Sequence, residues 1–170
     1  MTDDIGKTLA TWWREVLRPG DDNSVARALR ARLRRAETLD VLAQRQVHDL
    51  VATAPWLRAR PEALIRAVQV LALVERNDAR SLARVLGAGD PPAMSRARFE
   101  RLVRSEADDL SRALRRALAL TDGGCNVASL GRDVLNWDGE RGDDIRRTWY
   151  FDYFNAGRPA QSDAAEDVSQ

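Results

Sequence analysis

The side chains with chemistry to offer are arginines, and they recur at helical spacing. Arg98, Arg101, Arg104, Arg112, Arg115 and Arg116 all lie in the stretch Ser95 to Leu120. Wound at 3.6 residues per turn, they fall opposite Phe99, Leu102, Val103, Leu110, Ala113, Leu114 and Ala117, which are spaced for burial. A continuous helix here presents a row of guanidinium groups that a phosphate backbone can follow. A charged face is also what an ordinary solvated helix shows, and Glu106, Asp108 and Asp109 interrupt the row. Ser105 or Asp108 is placed to cap a second helix within it. A second basic face comes earlier. There Ser24 can cap a helix whose stripe is Val25, Leu29, Leu33 and Ala36, while Arg27, Arg30, Arg34 and Arg35 belong to an acid-free arginine cluster on the other side.

Other chemistries lack their parts. With one histidine, His48, and one cysteine, Cys125, neither a multi-ligand zinc cluster nor a nucleophilic dyad can be assembled. There is no GxxxxGK[ST] loop, and no strand followed by GxGxxG. The acidic pairs Asp108 with Asp109 and Asp143 with Asp144 are of a type that holds Mg²⁺ in nucleases. Neighbours on a helix diverge by a quarter-turn or more, however, and both pairs sit where caps or first-turn acids are expected. The sequence therefore calls for no metal, no cofactor and no catalytic residue, and His48 is expected in solvent. Binding or assembly is the default role.

These faces need helices to carry them, and the whole chain has helical period. Ile5, Leu9, Trp12, Trp13, Val16 and Leu17 form a first stripe that Pro19 and Gly20 should end. Leu39, Leu42 and Leu50 outline one helix stopping before Pro55. Pro61 suits a first helical position, and from Leu64 to Val74 apolar residues go nearly all the way round, the mark of a buried axis. A short helix from Leu82 to Leu86 stops at Gly87, and GAGDPP is the strongest punctuation in the chain. Past the central stretch, TDGGCN turns, Asn126 caps a helix through Val127, Leu130, Val134 and Leu135, and Asp143 is expected to cap the last one. That helix carries Ile145, Trp149 and Tyr153 on an inward face. Tyr150 and Phe154 share another face with Arg147, suited to a partner chain or to base stacking. The expectation is an all-α fold, a compact multi-helix bundle. If it has two lobes, they are residues 1–88 and 93–157, followed by a disordered tail over 158–170.

Composition sets the limits. Of 170 residues, 44% are hydrophobic, enough for a core, and the formal net charge is only +1. Any polyanion site must then be a local patch rather than an effect of net charge. Lys7 is the single lysine. An Arg bias fits bidentate phosphate contacts, and equally a GC-rich coding sequence. The lone cysteine, the absence of a long apolar run and the acidic start at Asp3 and Asp4 point to a cytoplasmic protein.

In order along the chain, WWREVL, ARALRARLRRA, RFERLVRSEADDLSRALRRAL, LGRDVLNWD and RRTWYFDYF resemble the CasB family, the small subunit of the type I-E CRISPR Cascade complex. The likeness runs from Trp12 to Phe154, and its specificity lies in the order, the spacing and the closing WYFDYF. It implies an all-helical, non-enzymatic protein, present as a pair of copies among the other Cascade subunits. It further implies contact with guide RNA and target DNA, and retention of the displaced strand so that the R-loop persists. The positions that would carry this are Arg27, Arg30, Arg34 and Arg35 in one helix and Arg101, Arg104, Arg115 and Arg116 in the other. Where relatives often carry RADR, this chain has Arg104, Ser105, Glu106 and Ala107, so the last basic residue is missing. Two other readings remain open at this point, a helical scaffold that binds only protein and a helix-turn-helix regulator that reads duplex DNA.

Overall fold

The computed structural model describes residues 2–18 and 23–157, so the expected stop at Pro19 and Gly20 and the tail lie outside the described residues. Within them the chain forms α1 (Thr2–Trp12) running into a π-helical turn (Trp13–Leu17), α2 (Ser24–Arg35), α3 (Thr38–Leu42) and α4 (Arg45–Thr53). A 3₁₀ turn (Pro55–Ala59) leads to α5 (Pro61–Leu71) and β1 (Arg76–Asn77). Then come α6 (Leu82–Gly87), α7 (Arg96–Val103), α8 (Ala107–Ala119), β2 (Gly124–Cys125), α9 (Val127–Asn136) and α10 (Gly142–Phe154). The fold is all-α. Its one departure among the described residues is β1 and β2, a two-residue parallel pair with Arg76 opposite Gly124 and Asn77 opposite Cys125.

The all-round apolar helix is the axis, and of more than the N-terminal half. α5 begins at Pro61, where a missing N–H is harmless, and buries Leu64, Ile65, Ala67, Val68, Val70 and Leu71. α9 packs on both α1 and α5, α2 and α8 pack on α5, and α6 packs on α10. Residues from before and after GAGDPP therefore share one hydrophobic core, including Leu9, Val68, Phe99, Leu130 and Trp149. The punctuation interrupts helices without dividing that core. Gly87 shows how close the two halves come: a Cβ there would overlap the Tyr153 carbonyl oxygen of α10.

Several local expectations are corrected. The helix expected through Leu39 to Leu50 is two helices, broken at Ala43 and Gln44, with His48 Nε2 2.7 Å from the Leu42 carbonyl oxygen and Leu39 78% exposed. The cap of α2 is Asn23, not Ser24; its side chain accepts from Val25 N at 3.0 Å and Ala26 N at 3.3 Å. Ala26 then takes the inner position in the first turn and Val25 turns outward, 63% exposed. The central stretch is not one helix but α7 and α8. The carbonyls released at the break accept from distant donors: Val103 O from Arg146 Nε at 3.1 Å, Ser105 O from Trp137 Nε1 at 2.9 Å. Neither Ser105 nor Asp108 caps α8, whose N-cap is Glu106. Nor does Asp143 cap α10. It sits in the first turn beside Asp144, where acids favour the helix dipole.

The same device recurs through the fold. Helix ends leave carbonyls without intrahelical partners, and here long side chains reach them: Trp13 Nε1 to Leu71 O at 3.1 Å, Gln69 Nε2 to Ala36 O at 2.8 Å, and Arg60 to Leu135 O; Tyr153 Oη likewise reaches Met94 O, in the loop before α7, at 2.7 Å.

Candidate nucleic-acid interface

The two arginine-bearing helices lie over the same axis. α2 buries Ala26, Leu29 and Leu33, and its arginines divide into two kinds. Arg27 and Arg35 are exposed. Arg30 and Arg34 are half-buried: Arg30 donates to Leu17 O at 3.3 Å, and Arg34 Nε donates to Ala72 O, at the end of α5, at 2.8 Å. A guanidinium nitrogen of Arg34 also stands 3.9 Å from the Glu75 carboxylate. Burial and the charge of Arg30 lower the Arg34 pKa against the opposing pull of Glu75, and Arg115 lowers it further. The group keeps its charge all the same, since an arginine pKa starts so high. The shift records how closely these cations are gathered.

α8, which like α2 packs on α5, buries Leu110, Leu114, Ala117 and Leu118. Arg115 donates to the Arg34 carbonyl oxygen at 2.6 Å and so ties the two arginine faces together. Arg112 lies 3.6 Å from Asp109, one turn back, in an exposed pair of little energetic weight. Arg34, Arg35, Arg112 and Arg115 line one cleft of about 320 Å³ with Gln69, Leu73, Asp108 and Ser111. Arg34 and Arg115 also line an adjoining cleft of about 300 Å³ with Glu75, Asp122 and Gly123. Glu75 in turn borders a third cleft, of about 380 Å³, with Trp13, Arg14, Arg18, Arg76 and Asn77.

Four of the ten arginines singled out in the sequence are thus brought into one cleft. Arg27, Arg30 and Arg116 stay on the same two helices but do not line it. Arg98, Arg101 and Arg104 are exposed on α7 and at its end, on the far side of the break, so the expected single row does not form. Arg101 instead turns back onto Ala97 O at 3.4 Å. Sequence pattern gave no reason to single out Glu75, Arg76, Arg14 or Arg18. None belongs to a periodic basic face, and only their position in the fold draws attention to them.

The aromatic face of α10 also separates. Tyr150 is half-buried and packs edge-on against Phe99, with ring centres 5.7 Å apart, so it is not the outward ring expected. Phe154 is 55% exposed, with the Arg96 guanidinium 5.5 Å from its ring centre, and Phe151, missed in the sequence, is 67% exposed. Among the described residues no group of three or more His, Cys, Asp or Glu side chains could hold a metal ion. Cys125 is fully buried, and burial pushes its thiol up to about 12, far from a reactive thiolate. No helix among the described residues is long and apolar enough to cross a membrane.

Comparison with known proteins gives a consistent result. The family described as CRISPR-associated protein Cse2 matches residues 29–154, which include much of α2 and all of α8. A CRISPR-associated protein Cse2 from Thermus thermophilus is 31% identical over 115 residues, covering 65% of this chain and 67% of that protein. A Cse2-family crystal structure from Thermus thermophilus superposes with a TM-score of 0.69, and one of CasB from the same organism with 0.67. Each is 24% identical and covers 88% of this chain and 97% of the other, and at that identity the likeness is one of fold.

Proposed function

Because the chain belongs to the Cse2 (CasB) family of CRISPR-associated proteins, small subunits of the type I-E Cascade assembly, we propose that its arginine-lined groove contacts nucleic acid there and holds the displaced DNA strand of the R-loop. One observation carries the reading: Arg34 and Arg35 meet Arg112 and Arg115 in a single cleft, though the two pairs come from distant parts of the chain. The cleft sets four arginines against one lining acid, Asp108, and the pairs Arg34–Glu75 and Arg112–Asp109 are long and reached by solvent, so a phosphate backbone can add counter-charge at regular spacing. Strand exchange in an R-loop is nearly balanced in free energy, so a few backbone contacts can tip it while the guide reads the sequence. The role is non-catalytic and cytoplasmic. Its partners are the other Cascade subunits, a second copy of the chain, the guide RNA and the target DNA. Phe154, with Phe151 beside it and Tyr150 behind, offers an apolar face to a neighbouring subunit.

The test is R-loop lifetime in an assembly carrying Arg35→Ala and Arg112→Ala, both exposed residues of the cleft, with incorporation of the subunit measured separately. Removing one arginine–phosphate ion pair should lower the slope of log affinity against log salt by about 0.7, nearly uniformly across DNA sequences because backbone contacts carry no base code. Normal incorporation with unchanged lifetime and salt dependence would leave a scaffold that binds only protein. Sequence-specific duplex binding by the free chain would instead indicate a helix-turn-helix regulator.

A further inference from the structure

Glu75 and Arg76 are consecutive residues at the point where two of the clefts meet, and the Gly123–Gly124 pair opposite makes room for both. A Cβ at Gly123 would stand 2.8 Å from Glu75 Cβ and 3.1 Å from its carboxylate Oε2; one at Gly124 would stand 2.6 Å from an Arg76 guanidinium nitrogen and 3.0 Å from Cζ. Gly123 also has φ +74°, a conformation side-chain-bearing residues rarely adopt. The charged side chains therefore lie against bare backbone. On one side of Glu75 are Arg34 and Arg115; on the other, in the cleft of about 380 Å³, Arg76 is joined by Arg14 from the π-helical turn after α1 and by Arg18 just beyond that turn. All three of these arginines are exposed. Arg14 and Arg18 precede the segment matched by the family.

We propose that the groove between α2 and α8 continues past Glu75 into a second phosphate-binding segment formed by Arg14, Arg18 and Arg76, so that one single strand runs through both. Glu75 is the resident carboxylate between the segments. This rests on the nucleic-acid reading above and extends the path of the strand. The ligand is the backbone rather than the bases. The aromatic residue in the second segment, Trp13, is buried and its indole N–H is already given to Leu71 O, so it offers no free face for stacking. A bound strand brings phosphates toward the arginines on either side and must pass the Glu75 carboxylate, which repels it and holds Arg34 at 3.9 Å. Glu75 thus sets an upper limit on affinity, a useful property in a contact meant to hold a strand without trapping it.

The experiment is a length series: the full chain is titrated with oligothymidylates of about 6 to about 24 nucleotides over a range of salt, with far-ultraviolet spectra and melting curves as folding controls. Short strands fill one segment and long strands both, so the wild-type salt slope should rise with length. The triple variant Arg14→Ala, Arg18→Ala, Arg76→Ala should bind short strands like wild type and lose roughly 2 from the long-strand slope, three contacts at about 0.7 each. If altering Arg76 disturbs the two-residue pairing, Arg14→Ala with Arg18→Ala leaves that pairing intact and should lose about 1.4. Glu75→Gln should tighten long-strand binding about two- to fivefold. If the arginine variants match wild type at every length while Arg35→Ala with Arg112→Ala weakens binding, the second segment does not exist and the α2–α8 reading stands. Equal weakening at all lengths also overturns the extension. No binding by wild type, or no effect of either set, removes both readings.

Discussion

Arg34→Ala and Arg35→Ala alter neighbouring residues of one helix in one cleft, and the structure gives them different consequences. Arg35 is exposed, so its truncation should leave stability within about 0.5 kcal/mol of wild type. Arg34 supplies a charged donor to the carbonyl of Ala72, a residue with no exposed surface, at 2.8 Å. Hydrogen bonds of that kind contribute about 1.5–3 kcal/mol. The Arg34 side chain is 31% exposed, so water can reach part of the vacated site and the lower end applies, about 1.5–2 kcal/mol. The Glu75 pair, long and solvated, adds next to nothing. In a chain of this size each kcal/mol moves Tm by about 2–4 °C, so Arg34→Ala should melt about 3–8 °C below wild type while Arg35→Ala melts with it. Both should lose about 0.7 of salt slope toward a single strand, one contact each. Thermal and urea melts followed by far-ultraviolet circular dichroism give the first quantity, and a salt titration gives the second. If the two variants melt together, the idea that Arg34 fastens α2 to the end of α5 is wrong. If Arg34→Ala loses stability but no salt slope, Arg34 belongs to the fold alone.

Two further predictions concern the core. Asp133 is buried, and burial pushes its carboxyl pKa up against the opposing hydrogen bond from Trp149 Nε1 at 2.8 Å and the charge of Arg132. The folded protein then holds that proton more tightly than the unfolded chain does. Its contribution is fully present below the ordinary value of 3.8 and is lost as pH rises through the raised native value. Asp133→Asn keeps an acceptor for Trp149, so urea melts from about pH 4 to about pH 8 should show the variant gaining on wild type as pH rises; a difference running the other way refutes the assignment. Gly87→Ala should cost more than about 4 kcal/mol or prevent folding, because the added methyl meets the Tyr153 backbone rather than a side chain that can move. A melting curve close to wild type would show that α6 and α10 can part cheaply.

What was legible in the sequence followed local rules. The fold class and the axis at α5 could be read because period and an N-terminal proline are properties of a short window, as is the Asn126 cap, which accepts from Ser129 N at 2.9 Å. The break at Ala43 and Gln44 could not be, and of the central break the sequence showed a second helix capped at Ser105 or Asp108 but not the actual cap, Glu106, nor what holds the break. Residues 104 to 106 contain no proline or glycine, and the carbonyls at the break are met by Trp137 and Arg146 from another part of the chain. The candidate site was half legible for the same reason. Periodicity placed arginines on outward faces, but which of them meet depends on how α2 and α8 sit on α5. That arrangement selects Arg34, Arg35, Arg112 and Arg115 and leaves the α7 arginines elsewhere. The packing of Tyr150 on Phe99 was not legible, because a helical wheel shows direction without showing what lies in it.

The preference for arginine over lysine has a physical reason at two positions, whatever the coding sequence contributes elsewhere. Arg34 gives Nε to Ala72 O, and Arg115 gives one terminal nitrogen to Arg34 O. A guanidinium has five N–H donors in a rigid fork, so one edge can be held by the fold while another faces the cleft. A lysine has a single nitrogen at the end of a flexible stem; bonded to the carbonyl, its charge is drawn to that point. Anchoring also removes side-chain freedom before any ligand arrives, so a phosphate meeting Arg34 or Arg115 forfeits less ordering entropy than one meeting a free surface cation. Arg115→Lys should accordingly preserve charge and much of the stability yet weaken strand binding nearly as far as Arg115→Ala, whereas at the exposed Arg35 lysine should replace arginine with little loss. Equal tolerance of lysine at both positions would mean that the groove acts through net charge alone, and that the bonds joining α2 to α5 and α8 have no part in holding the strand.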